Sequence, residues 1–425
     1  MKILYLSSDL GVPVLGRKGA SVHVRELVAA FTRAGHNVVL AAPVLNKSSW
    51  EKPAGLDANL LHLRLASHIV EVAVALKEFN ARLGVENSLP GELRRILYNQ
   101  ELAVDLKRRF DGDPPDFIYE RASLYGTAGV LVARALNVPH LVELNAPLAV
   151  EQASYRRTGL GELAAQAERW MLTRADGVLA VSAPLRDHVL SLGVEPARVH
   201  VYSNGVDPTL FQPGAREAAV RARFGLDDGP VLGFVGGLRP WHGVEVLPEL
   251  VGRLAERYGK LQLLIAGDGQ LRTELEEGFK KKGLSERVIF AGALPHEEVA
   301  AVIRQFDVAL APYPKLDHAF YFSPLKLFEY MACGAAVVAA DVGQIAEVVR
   351  HGHTGLLFPP GDMDRLTEAC DRLLGDAKLR RTLGHAAAKL VHTHYTWDRN
   401  ASRAVELVRS LIAARGKRTG KGDPG

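Results

Sequence analysis

The chain has 425 residues, 48% of them hydrophobic and 24% charged, with 52 basic residues against 48 acidic. That length exceeds the size at which a single core stops growing, so two domains are expected, and a net charge of +4 argues against nucleic acid as a partner. No apolar run approaches the ~18 residues of a membrane span, and Cys333 and Cys370 match no zinc or disulfide framework, so the chain reads as cytoplasmic.

The opening MKILYLSSDLG is apolar over too short a stretch for a signal peptide and predicts a first strand at 2–8. Strand-like runs follow at 37–43, 60–65, 116–119, 139–144, 177–181 and 199–202. A second series lies at 231–235, 261–266, 287–291, 307–311, 335–340 and 355–358. Helical periods separate most of them, as at 20–35, 122–136, 159–174, 243–258, 295–305 and 362–374. Such alternation predicts parallel sheets covered on both faces. So many strands suit two doubly wound domains better than one sheet. Turn formers cluster in NGVDPTLFQP (204–213), which places the domains at 1–205 and 206–396. The basic, Gly-rich tail at 416–425 is expected to be disordered. Ligands of such sheets bind beyond the carboxyl ends of the strands.

The segment SPLKLFEYMACG, from Ser323 to Gly334, carries the densest signal. Ser323 suits an N-cap, Pro324 the first helical position and Gly334 a left-handed stop. The AAVVAAD that follows reads as a buried strand ending at Asp341. A helix N-terminus offers unpaired N–H groups to a phosphate, and Lys326 adds a cation to that turn. Glu329 lies about 9 Å along the axis, where the ribose of a nucleotide would reach it. The same pattern also fits a surface amphipathic helix with a solvated Lys and a solvated Glu.

Four loops at strand ends add weight. LGRKGASVHVREL (15–27) brings Gly16 and Gly19 ahead of a helix starting near Ser21. FVGGLRPWHGVE (234–245) places Arg239 and His242 after two glycines, which suits a diphosphate, while Trp241 reads as a packing residue. AGDGQLRTELE (266–276) reads as a tight turn with Asp268 as an N-cap, and RHGHTGLLFPPGD (350–362) as a Gly-punctuated turn into a strand.

The order and spacing of several motifs resemble the retaining glycosyltransferases of family 4 over nearly the whole chain. They are the loop at 15–27, SNGVDPTLFQP (203–213), VGGLRPWHG (235–243), AGDG (266–269), FSPLKLFEYMACGAAVVA (322–339), EVVRHGHTGLLFPPGD (347–362) and HYTWDRNA (394–401). The resemblance implies an α/β GT-B fold, two Rossmann-like domains facing across a cleft, with a final helix (about 397–415) crossing back to the first domain. It implies a nucleotide-diphosphate sugar as substrate, with no cofactor and no metal, held mainly by the second domain. An acceptor of unspecified identity would bind mainly the first. By position, Glu329 matches the ribose-binding Glu, and Leu325 and Lys326 would offer backbone N–H groups to the diphosphate. Gly19 would approach the donor phosphate, Ala293 and Leu294 would border the base, and Ser323 and Gly237 would line the same site.

Three departures accompany the resemblance. Tyr321 stands where the family's first Glu lies near the transferred sugar, so sugar recognition is expected to be arranged differently, with Asp317 the nearest substitute. The usual Arg and Lys of the phosphate loop align with Gly237 and His242, and Arg239 and Lys326 restore charge from neighbouring positions. An N-terminal-domain His aligns with Asn145 in PHLVELNAP.

Glycosyl transfer builds negative charge on the leaving diphosphate, so Arg239, Lys326 and a protonated His242 are expected to stabilise it. Glu120 and Asn145 are the acceptor-side candidates, with Glu143 and Glu151 nearby. Each of these acids also reads as strand-end solvation or capping. The helical stretch 88–110 sets Arg94, Arg95, Lys107, Arg108 and Arg109 beside Leu93, Ile96, Leu97, Leu106 and Phe110, a face that suits anionic lipid. Glu92, Glu101 and Asp105 dilute its charge. A nucleotide-sugar epimerase and a non-catalytic nucleotide-sugar-binding subunit are the rival readings.

Overall fold

The computed structural model describes residues 1–46, 55–56, 58–156 and 159–419. They form two compact units: Met1–Ser203 together with the chain from Asp398 onward, and Asn204–Trp397.

The first unit runs β1 (Lys2–Ser7), α1 (Gly19–Arg33), β2 (Asn37–Ala42), β3 (Asn59–His62), α2 (Ser67–Arg82), α3 (Leu89–Phe110), β4 (Phe117–Arg121), α4 (Ala128–Leu136), β5 (His140–Leu144), α5 (Leu148–Arg156), α6 (Gly161–Arg174), β6 (Gly177–Ala180), α7 (Ala183–Ser191) and β7 (Val199–Val201). Its strands pair in parallel in the order β3-β2-β1-β4-β5-β6-β7. Continuous apolar runs such as KILYLS suit strands buried on both faces. The register matches Ser7 to Arg121 and Arg121 to Glu143, so the carboxyl ends of β1, β4 and β5 finish side by side.

The face of α3 expected to meet lipid is divided: Leu106 and Phe110 are core, Leu93 and Ile96 are half-buried and Leu97 is exposed. Leu106 and Phe110 pack with Leu4, Leu6 and Ile118, and Arg108 and Arg109 both pair with Asp105. Burying an apolar stripe against the sheet satisfies the same hydrophobic drive that a membrane would. Exposed apolar side chains of this region sit on both helices, at Val70, Val72, Val74 and Phe79 of α2 and at Leu97 and Val104 of α3.

The second unit runs α8 (Ala218–Phe224), β8 (Val231–Val235), α9 (Leu247–Ala255), β9 (Gln262–Ala266), α10 (Arg272–Lys281), β10 (Val288–Gly292), α11 (His296–Ile303), β11 (Val308–Ala311), α12 (Leu325–Ala332), β12 (Ala336–Ala340), α13 (Gly343–Val348), β13 (Leu356–Phe358), α14 (Met363–Gly375) and α15 (Ala377–His394). The parallel sheet order is β10-β9-β8-β11-β12-β13. Strand order reverses between β8 and β11, and the loops beyond such a switch point are where a ligand of a doubly wound sheet sits.

The last helix, α16 (Trp397–Thr419), returns to the first unit. Arg33 pairs with Asp398 at 2.7 Å, Arg403 lies 3.9 Å from the Tyr202 ring centroid and Arg415 pairs with Asp176 at 2.8 Å. The helix runs on through 416–419, which were expected as disordered tail, while 420–425 lie outside the described residues.

Helix α12 is built much as its sequence predicts. Leu327, Phe328, Tyr330 and Met331 are fully buried, each such side chain contributing roughly 1.5–3 kcal/mol. Gly334 takes φ +73°, with its N–H on Met331 O and the Ala335 N–H on Tyr330 O, a Schellman stop. The other end differs. Pro324 is the N-cap residue, and the Ser323 hydroxyl accepts the Asn204 N–H (2.9 Å) instead of capping the helix.

Candidate active site

The loop after β8 and the first turn of α12 meet at one side chain, Lys326. Tyr330, one turn further along α12, accepts the Val235 N–H at its hydroxyl (2.6 Å) and so bolts the helix to the end of β8. That fixes Lys326 against Gly236, whose φ of +132° and lack of a side chain make room for it. A Cβ there would come within 2.8 Å of the Lys326 Nζ. The Nζ lies 4.0 Å from the Phe234 ring centroid and 5.5 Å from that of Tyr313. Lys326 is 7% exposed, and among the described residues its Nζ has no hydrogen-bond partner. Burial pulls its pKa down to about 7, against a small upward pull from Glu329. A buried ammonium without a partner is costly, and an anion would relieve it. The first-turn N–H groups of α12, at Leu325 and Lys326, stand at the same helix mouth.

His242 is not the cation expected from the sequence. Its Nδ1 lies 2.5 Å from the Gly237 carbonyl oxygen, which only accepts, so Nδ1 carries the proton and Nε2 is left with its lone pair. Burial and the nearby Lys326 lower its pKa to about 3, outweighing the Gly237 carbonyl, and Arg239 adds to the fall. The ring is held by Phe234, Trp241 and Tyr313. At neutral pH it is a hydrogen-bonding imidazole, since a second cation beside Lys326 in a desolvated site is disfavoured twice over.

Arg239 sits at the rim, its Nη1 2.8 Å from Gln270 Oε1 and its guanidinium 5.9 Å from the Trp241 ring centroid. Trp241 is 42% exposed, so it packs on His242 and leaves its other face open. Asp268 does not cap α10, whose N-cap is Leu271; its carboxylate takes the Gly269 N–H at 2.7 Å. Its backbone carbonyl holds the Leu238 N–H (3.1 Å) while Ala266 O holds the Gly236 N–H (2.9 Å), so the 266–269 turn braces the loop containing Gly237.

Glu329 is 7% exposed, with Oε1 2.9 Å from His296 Nε2. His296 was not anticipated, although it lies two residues beyond Ala293–Leu294, at the end of β10. Its signal was a polar ring opening a helix in the segment expected to border a base. Asn204 was also missed: besides its N–H on Ser323, its side chain donates to Ser323 O at 2.6 Å, tying the NGVDP motif to the entry of α12. Tyr321 is buried among aromatic rings, 5.3 Å from His318 and 4.5 Å from Phe322 between centroids, and Asp317 is exposed.

In the first unit Gly19 is the exposed first residue of α1, and Arg25 staples the preceding loop through the carbonyls of Val14 (2.9 Å) and Gly16 (2.5 Å). At the joint end of β4 and β5, buried Glu143 collects the Tyr119 hydroxyl (2.5 Å), His23 Nε2 (3.1 Å), Asn145 Nδ2 (2.5 Å) and Arg121 Nη1 (3.4 Å). Asn145 therefore orients a carboxylate. Arg121 also donates to His23 Nδ1 (3.0 Å), which leaves the proton on Nε2, and burial lowers the His23 pKa to about 4.

Glu120 cannot serve an acceptor. It is fully buried, its Oε2 2.8 Å from His140 Nε2, and α4 closes over it through Gly129, where a Cβ would collide with the carboxylate. Successive strand residues point to opposite faces, so Tyr119 and Arg121 join the Glu143 network and Glu120 does not. Among the described residues, no group of three or more His, Cys, Asp or Glu side chains is arranged to hold a metal ion.

Residues 17–210 match the family described as Glycosyltransferase Family 4, and residues 229–376 match Glycosyl transferases group 1. An alpha-D-kanosaminyltransferase of Streptomyces kanamyceticus is 30% identical over 291 residues, covering 66% of this chain and 73% of that protein. The chain belongs to glycosyltransferase family 4. As a family-4 member it is a transferase enzyme that moves a sugar. An alpha-maltose-1-phosphate synthase of Mycolicibacterium smegmatis is 28% identical over 332 residues, covering 73% of this chain and 83% of that protein. The crystal structure of Anabaena HepE in complex with UDP matches with a TM-score of 0.69 at 18% identity over 96% of this chain and all of that one. That likeness is one of fold, and the family-4 fold here is GT-B. Of the residues anticipated for the glycosyltransferase's donor, Lys326, Gly237, His242, Leu325 and Ser323 gather around the mouth of α12, with Arg239 at the rim and Glu329 one turn deeper. Glu120 stands apart in the other unit, in its core.

Proposed function

We propose that this glycosyltransferase takes its sugar from a nucleoside-diphosphate sugar and transfers it to an acceptor with retention of anomeric configuration and without a metal ion. The observation that carries the reading is the buried, unpartnered Lys326 ammonium at the mouth of α12. A diphosphate oxygen would supply its missing partner and meet the free N–H groups of the helix at the same point. Glu329, steadied by His296, would hold the ribose, and Ala293–Leu294 would border the base. The solved relative HepE, crystallised with UDP and with UDP-glucose, supports a nucleotide in this fold.

In the reaction the bond from the anomeric carbon to the diphosphate oxygen breaks, and the bond from that carbon to the acceptor oxygen forms. The acceptor's proton passes to the departing phosphate oxygen on the same face. Lys326 and the α12 N–H groups hold the charge that develops, and Arg239 adds a cation from the rim. His242 contributes its Nε2 lone pair as an acceptor for a donor hydroxyl. Retention rests on the family resemblance, and metal independence is supported by Lys326 and Arg239, cations that would meet the charge of the leaving group.

Incubation with UDP-, GDP-, ADP- and dTDP-sugars, read by thermal shift and product analysis, tests the reading. Nucleoside diphosphate plus a glycoside of retained configuration, undiminished by a chelator, is the expected result. An altered sugar nucleotide would mark an epimerase, and binding without turnover would mark a carrier subunit. Either would overturn the reading.

A further inference from the structure

The sheet order lines up the parts of the proposed donor. The base border lies at β10, the diphosphate loop follows β8, and β11, β12 and β13 come next. Two strands at ~4.8 Å each carry the line roughly 10 Å beyond β8, onto the end of β12. There a cavity of about 160 Å³ opens between the loop after β11 and the turn after β12. It has room for about five waters at ~30 Å³ each.

The cavity wall is mainly hydrocarbon: Pro314, Leu316, Phe320, Val342 and Pro360, with Gly343 at its base. Of its polar members, Lys315 is exposed, and His318 spends Nδ1 on the Ala319 carbonyl (2.9 Å). The wall continues to the diphosphate site, since Phe320 lies 5.0 Å from Tyr313, whose ring centroid is 5.5 Å from Lys326 Nζ. Gly243, beside His242, presses on the Pro312 carbonyl and on Pro314 (φ +67°, 3.2 Å from Pro314 Cδ to a Cβ there), closing the near side. Next to this wall, Tyr321 occupies the position at which an acidic side chain was expected to meet the sugar. A sugar hydroxyl entering here loses water without meeting a carboxylate, whereas a methyl group loses nothing.

We propose that this cavity is the subsite for a methyl-bearing substituent of the transferred sugar, either an acetamido group or a 6-deoxy carbon. The proposal rests on the donor reading above and adds the chemistry of the sugar. A methyl group in such a pocket is worth roughly 10–200-fold in affinity.

Competition calorimetry on the full chain tests it with pairs that share a base and ring configuration: UDP-glucose against UDP-N-acetylglucosamine, dTDP-glucose against dTDP-6-deoxy-D-glucose, and GDP-mannose against GDP-D-rhamnose. UDP, dTDP and GDP alone serve as controls. In the series whose nucleotide binds, the methyl-bearing sugar should bind at least tenfold tighter than its partner; the uridine pair reports the acetamido form and the other two the deoxy form. Leu316→Gln, on a half-buried loop position, should bring that ratio towards one without changing nucleotide affinity. Leu316→Trp, which fills the cavity, should do the same by exclusion. Equal or tighter binding of the plain hexose, or a ratio untouched by both variants, overturns the proposal while the donor reading stands. Failure of all three nucleotides to bind overturns the donor reading and this proposal with it.

Discussion

Lys326→Met should weaken nucleotide binding while leaving the fold as stable or more so. In the unliganded protein the Lys326 pKa falls from 10.5 to about 7. A drop of about 3.5 units at ~1.36 kcal/mol each is a penalty on the order of 5 kcal/mol for holding the charged form in the fold. Between the folded and unfolded pKa values the unfolded chain binds more protons, so stability rises with pH from about 7 to about 10.4. Below about 7 the whole penalty is present. Methionine removes it and fills similar space, so the melting temperature at pH 7 should hold or rise. A bound diphosphate supplies the partner that Lys326 lacks, and a charge-assisted hydrogen bond is worth roughly 1.5–3 kcal/mol. The variant's Kd for UDP should therefore rise roughly 10–150-fold, at a tenfold change per ~1.4 kcal/mol. Binding also draws a proton onto Lys326, so wild-type affinity should be flat below about pH 7 and fall by up to tenfold per pH unit above it. Calorimetry with UDP at pH 6 to 9, in two buffers of different ionisation enthalpy, measures both effects. The wild-type slope minus that of Lys326→Met cancels titration of the nucleotide itself. Unchanged affinity in the variant, or a difference slope of zero between pH 7 and 9, refutes the reasoning.

Glu329→Ala should weaken UDP binding by roughly 1.5–3 kcal/mol through the lost ribose hydrogen bonds, and equal calorimetric affinity would count against its ribose role. His296→Ala should cost about 1 kcal/mol, or some fivefold in Kd, because it only steadies Glu329 (2.9 Å). His242 already lies near pKa 3, so His242→Gln should keep the wild-type pH–rate profile from pH 5 to 9; loss of an alkaline limb, a wild-type rate that falls as pH rises, would show that the imidazolium acts. Gly129→Ala should destabilise the first unit by roughly 1–3 kcal/mol, since its Cβ meets the buried Glu120 carboxylate, with UDP affinity unchanged. A chemical denaturation midpoint equal to wild type would show that Glu120 is free to move.

Much of the candidate site was legible because its signals are local. Gly334 follows a helix and precedes a buried strand, so its left-handed stop could be read from neighbouring residues, and α12 ends there by a Schellman motif. The loop at 234–245 announced itself by glycines beside cations. Partners were harder to read. Ser323 looked like an N-cap because serine before proline often is one, yet its hydroxyl answers Asn204, far away in sequence. Glu120 and Glu143 both end strands in similar contexts, and one faces His140 in the core while the other gathers Tyr119, His23 and Asn145. Leu106 and Phe110, expected on a lipid-facing side of α3, went into the core for the same reason, since an amphipathic period states that a face is apolar but not what covers it.

By itself the sequence determined the alternation of strands and helices, and it placed glycines beside cations in loops at strand ends. Apolar periodicity and turn residues act over a few neighbours, and that range is what a chain displays when read in order. Only the tertiary structure decided the chemical state of those residues. Lys326 is a near-neutral titrating group because Phe234, Tyr313 and Gly236 close around it, and His242 is uncharged because packing buries it and because Lys326 arrives from a helix over eighty positions later. Desolvation and charge proximity depend on distances in space, and those exist only once the two segments have been packed together.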